Sequence, residues 1–234
     1  MRYPLYSFLC LCFALSLMSG CDQKKKNLVK ISINHLKAAG DTVLVARTNM
    51  INFDDVELGK VILDSAGKGT AEFELDAPVF AHVAAAHLAA AFFVSTGDEL
   101  AIVPAKAGAK VSISFEGDGA AVNQFIMESC QIWNGLEKWD GTHAIHLNKE
   151  EFLKAKDSLQ RGYGQLFAKL KSNKQVSAEM LSLMKSYTEM SVVFYQQNFS
   201  IGKDSTEIPA TVAEAIKRIP IVLLRSKQVC LTML

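Results

Sequence analysis

The chain has 234 residues, with 25 Lys and Arg set against 24 Asp and Glu for a net charge of +1, and half of its residues are hydrophobic. A balance so close to neutral argues against nucleic acid as a partner, which calls for a basic face. The apolar half is ample for a substantial core in one large domain or two modest ones.

The N-terminus is the most informative segment. Arg2 supplies a short positive stretch, and Leu5 to Met18 is apolar apart from Tyr6 and two serines. As a helix this run reaches only ~21 Å at ~1.5 Å per residue, against a hydrocarbon core of ~30 Å. It is short for a membrane span and the right length for the h-region of an export signal. Ser19, Gly20 and Cys21 follow. Leu17-Met18-Ser19-Gly20-Cys21 resembles the lipobox of bacterial lipoproteins, with Met18 standing where Leu is commoner. The resemblance implies that the Cys21 sulfur takes a diacylglycerol, that a peptidase cuts between Gly20 and Cys21, and that the new amino group is acylated. Two or three acyl chains, at ~0.8 kcal/mol per buried methylene, make a stable anchor where one is marginal. The expected partner is therefore a membrane, reached through lipid on Cys21. The expected location is the cell envelope, on the inner or outer membrane, facing the periplasm.

Residues 21–27 form a tether. Asp22 to Asn27, fully extended, reach ~20 Å, so the folded body lies close to the bilayer. Lys24-Lys25-Lys26 reads as a solvated spacer. Cys10 and Cys12 leave with the signal and Cys21 carries lipid, so Cys130 and Cys230 remain. An oxidising compartment permits them to pair; two separate buried thiols is the simpler reading, and the sequence leaves the choice open.

Residues 28–117 read as a β-domain. Leu28 to Ile33 alternates apolar and polar residues, as does Thr42 to Ala46 after the turn signal Ala39-Gly40-Asp41. Val61 to Leu63, the loop Asp64 to Gly69 and Thr70 to Leu75 read as a hairpin. Pro78 starts a further run, Val79 to Ala86. The alanine-rich stretch Ala84 to Ala91 has helical propensity, but its place between strand signals predicts two strands and a turn. Phe92 to Val94, the turn Ser95 to Asp98 and Leu100 to Val103 read as another hairpin, and Lys110 to Phe115 closes the series. Seven or eight short strands with turns every ~8–12 residues predict an antiparallel β-sandwich or an open barrel.

At Gly117-Asp118-Gly119 the period changes. Val122, Phe125, Ile126, Ser129, Ile132, Trp133 and Leu136 recur at helical steps. Asn148 and Glu151 predict a capping box opening a second helix to about Lys171. Ser177 opens a third through Phe199, and a short fourth runs from Pro209 to Arg218. The fold class is thus α+β, with strands first and a helical segment over 118–220. The tail, 221–234, is apolar and lacks an end cap, which reads as a truncated or frame-shifted product or a shortened paralogue.

Phe73-Glu74-Leu75, Phe92 to Leu100 and especially Ser114 to Asn123 (SFEGDGAAVN) resemble the N-terminal β-domain of thioredoxin-like (TlpA-like) thiol–disulfide oxidoreductase lipoproteins. The resemblance spans roughly residues 15 to 215. It implies a lipobox, this β-domain, about a hundred residues of helix, and then a thioredoxin domain. Such a reductase needs two cysteines two residues apart at a helix N-terminus, and no Cys-x-x-Cys occurs in this chain. The family's redox activity therefore attaches to no residue here, and the expected role is a non-catalytic module that binds or positions a partner. The competing expectation is that the chain is the N-terminal portion of such an oxidoreductase.

Other constellations are weaker. His143 and His146 could share a helical face as metal ligands, but no third ligand is marked and Gly141-Thr142 predicts a loop. His82 and His87 differ by an odd number and would face opposite sides of one strand. No Gly-x-Ser-x-Gly elbow, phosphate loop or dinucleotide fingerprint occurs. No catalytic, cofactor or metal residue is therefore expected. Asp41-Thr42-Val43, Asp64-Ser65-Ala66, Asp157-Ser158-Leu159 and Asp204-Ser205-Thr206 resemble a short periplasmic O-glycosylation signal, but Asp and Ser favour turns and caps in any case. Trp133 and Trp139, with Phe125 and Ile132, are expected to form a core seam between helix and β-domain.

Overall fold

Strict alternation from Leu28 onward sends every second side chain to one face, and that face becomes the core. A computed structural model describes residues 27–48, 54–105, 113–136, 143–204 and 206–217. Among these residues the strands are β1 (Leu28–Asn34), β2 (Thr42–Thr48), β3 (Asp55–Ile62), β4 (Lys68–Glu74), β5 (Val79–Ala85), β6 (Leu88–Val94), β7 (Glu99–Pro104) and β8 (Ile113–Gly117). The helices follow: α1 (Ala120–Leu136), α2 (His143–His146), α3 (Lys149–Lys171), α4 (Ala178–Ser200) and α5 (Ala210–Lys217). The chain is α+β, and its strands form two four-stranded sheets in the manner of a sandwich, ordered β4-β1-β7-β8 and β3-β2-β5-β6. Neighbours are antiparallel except β1 and β7, which run parallel. Val29, Ile31 and Ile33 of β1, Leu100 and Ile102 of β7, Val43 and Val45 of β2 and Phe92 of β6 meet in one buried cluster. Each such side chain contributes ~1.5–3 kcal/mol on burial.

Two expected hairpins are connections between sheets instead. β3 and β4 fall in different sheets, as do β6 and β7. At the first, the Asp64 carboxylate accepts from the N–H groups of Ala66 at 2.8 Å and Lys68 at 2.9 Å. Gly67 has φ +72° and lies so close to His35 that a Cβ would sit 2.5 Å from its carbonyl oxygen. The loop chemistry is the same for a hairpin and an arch, so the sequence signals a turn without saying which sheet the next strand joins. β5 and β6 form a tight hairpin, joined through Ala86-His87 with Ala85 opposite Leu88. Here sheet pairing overrides the helical propensity of the alanines, because Ala90 and Phe92 complete the inner face.

The helices begin where capping chemistry places them. Asn148 accepts from the N–H groups of Glu150 and Glu151, and the Glu151 carboxylate accepts from the Asn148 N–H, a complete capping box. Ser177 caps α4 through the N–H of Met180 at 3.1 Å. The first half of α1 (Val122, Phe125, Ile126) packs with Phe93 of the sandwich and with Leu170 and Met184. Further along, Trp133 joins Phe152, Leu159, Tyr163, Tyr195, Phe199 and Val212 in a core made by helices alone. Trp133 is therefore core, as expected, but its ring lies 5.7 Å from Phe194 and 5.9 Å from Tyr195 rather than at the β-domain seam. Trp139 lies outside the described residues.

Candidate functional site

Cys21, the expected lipid-attachment residue, the expected cleavage site between Gly20 and Cys21, and the segment through Lys26 lie outside the described residues. The described chain starts at Asn27, whose carbonyl accepts from the Leu75 N–H at 2.9 Å; three residues on, the Lys30 N–H donates to the Asp98 carbonyl at 2.9 Å. The start of β1 is thus held by the end of β4 and, at Lys30, by the β6–β7 turn.

The joint between sandwich and helices is the Gly-Asp-Gly…Asn pattern singled out in the sequence. Gly117 has φ +90°, and a Cβ there would collide with the Glu99 carbonyl oxygen, so only glycine fits. Asp118 turns back, its carboxylate accepting from the Glu99 N–H at 3.0 Å while its own N–H donates to the Glu99 carbonyl at 2.8 Å. Asn123, fully buried, accepts from the Phe93 N–H at 2.6 Å and donates to the Phe93 carbonyl at 2.9 Å. Its amide does what a neighbouring strand would do, closing the outer edge of β6 with a helix. Beside the joint lies a cleft of about 360 Å³ whose walls include Ser95, Asp98, Gly119, Asn173, Ser177 and Met180. Its polar groups serve the backbone: Asp98 accepts from the Ser95 N–H at 2.7 Å, and Ser177 caps α4.

A second, more open groove of about 420 Å³ runs between α3 and α4, with Tyr163, Gly164 and Phe167 on one side and Thr188, Val192 and Val193 on the other. Its lining is largely apolar, with Lys185 and Glu189, 3.8 Å apart, on α4. Tyr163, although it borders the groove, is 4 % exposed. Burial pushes its phenol well above the ordinary range, opposed by a hydrogen bond with Ser191. Nearby, the buried Cys130 thiol lies 3.7 Å from the Tyr187 hydroxyl. Cys230 lies outside the described residues.

The remaining candidates do not assemble. His82 is buried on β5 with Nε2 3.3 Å from the Asp55 carboxylate, whereas His87 is exposed in the turn beyond it. His143 and His146 lie in the single-turn α2 rather than in a loop, and among the described residues no group of three or more His, Cys, Asp or Glu is placed to hold a metal. Asp64 belongs to the arch, where backbone N–H groups hold its carboxyl below the usual range. Asp157 to Leu159 lie inside α3, and Thr42-Val43 open β2; Ser205 is outside the described residues. Among the described residues no helix is long and apolar enough to cross a membrane.

Sequence reasoning missed the α3–α4 groove. Its signal was present in α4, where Val192 and Val193 are adjacent and apolar residues occupy more than one face, a pattern that a single buried stripe does not explain. Comparison with family models, with curated proteins and with solved structures finds no match to the chain.

Proposed function

We propose that this chain is a membrane-tethered periplasmic lipoprotein whose folded body binds or positions a partner and carries out no chemistry of its own. The observation that carries the reading is the run from Leu5 to Cys21: an apolar stretch too short to span, then small residues, then a cysteine at the position where lipid is attached. The joint supports it. Gly117, Asp118 and Asn123 are given over to fixing helices against sheet, which is what a positioning body requires. The order of sandwich first and helices second also favours a kinship with thioredoxin-like lipoproteins, in which this part precedes the redox domain.

Growth of a producing bacterium on labelled palmitate tests the anchor. Label is expected in the wild type and absent from Cys21→Ser; label that persists in the serine variant would defeat the reading. An insulin-reduction assay tests the rest, since turnover by the purified chain contradicts a non-catalytic body.

A further inference from the structure

The groove between α3 and α4 and the segment after α5 have complementary chemistry. None of residues 191–200 of α4 is exposed, although the helix still borders an open, largely apolar groove through Val192, Val193 and Gln196. Tyr163 and Val192, on opposite walls, belong to the same buried cluster as Val212 of α5, and α5 packs on α4. The chain continues past Lys217 with Ile221-Val222-Leu223-Leu224 and then Val229, Cys230, Leu231, Met233 and Leu234, interrupted by the basic Arg225 and Lys227. An apolar segment of this kind needs a cover. Along α4 the groove extends from Lys185 to Gln196, ~17 Å at ~1.5 Å per residue, and residues 221–234 as a helix reach ~21 Å.

We propose that the segment Ile221–Leu234 docks into the α3–α4 groove of its own chain, as an amphipathic segment laid against Tyr163, Phe167, Val192 and Val193. Recognition is apolar, in the manner of a helix in a groove, and covalent continuity through α5 supplies a high effective concentration. The groove is then an internal site filled by the tail, and a partner that bound there would first have to displace it. This inference does not rest on lipidation and stands or falls separately from the tethering reading.

The tail carries its own probe, Cys230. In the full-length chain, a cysteine placed in the groove (Val193→Cys) is oxidised under mild conditions and the linked tryptic peptides are identified by mass spectrometry. Gly164→Cys serves as the second groove variant, because a side chain there meets open space. Ile62→Cys, 74 % exposed on the sandwich, is the reference. The expected result is an intramolecular link to Cys230 that forms at least tenfold faster from position 193 or 164 than from position 62. Equal rates from all three positions would overturn the proposal. So would links found only between chains, which would assign the groove to a second copy, or no link from either groove position.

Discussion

Replacing Asn123 by alanine removes the amide that satisfies both backbone groups of Phe93, at 2.6 Å and 2.9 Å, in a site with no exposure to water. A buried donor or acceptor left without a partner costs ~1–3 kcal/mol, so the two together should cost ~2–6 kcal/mol, a large fraction of a domain's typical ~5–15 kcal/mol. Urea unfolding followed by fluorescence and circular dichroism reads the loss directly, with an unchanged slope if the same surface is exposed on unfolding. Gln124→Ala, one residue along, removes a side-chain bond to Glu128 at 3.1 Å and should stay within ~0.5 kcal/mol of wild type. A loss below ~1 kcal/mol for Asn123→Ala would mean that the amide is not what closes the β6 edge, and would remove the physical basis for reading the Gly-Asp-Gly…Asn pattern as a joint.

Gly117→Ala should destabilise by more than ~1 kcal/mol, because a left-handed backbone and a collision with Glu99 act together; a thermal melt indistinguishable from wild type would contradict it. Trp133→Ala should cost ~3–5 kcal/mol, since the indole is 2 % exposed and packed by Phe194 and Tyr195; urea melts give the value. Tyr163 keeps its proton in the folded state above the pH at which an unfolded phenol, with pKa ~10, loses it. Its contribution to stability is thus complete below about pH 10 and lost as the pH climbs further. Measured between about pH 9 and 11, the stability of wild type relative to Tyr163→Phe should fall with rising pH; a constant difference would refute the assignment.

Local chemistry was legible in the sequence wherever one residue decides it. The Asn148–Glu151 box and the Ser177 cap start their helices where the pattern places them, and the alternation of β1 and β7 identifies the inner face. Pairing between strands was not legible. The Asp64-to-Gly69 and Ser95-to-Asp98 loops are turns in either topology, and which sheet receives the next strand depends on contacts far away in sequence. β1 shows this, lying between β4 and β7. Trp133 shows the same limit. Its helical spacing predicts burial, while its neighbours Phe194 and Tyr195 come from a helix some sixty residues later. Asn123 was conspicuous as part of a pattern, but its task depends on where β6 ends, which the pattern does not encode.

The anchor carries the functional reading, and the mass of the mature N-terminal peptide tests it most directly. The account predicts that the membrane fraction of a producing bacterium yields a peptide beginning at Cys21 that bears a thioether-linked diacylglycerol and lacks residues 1–20. A peptide with an unmodified Cys21, or one that begins at another residue, would contradict it.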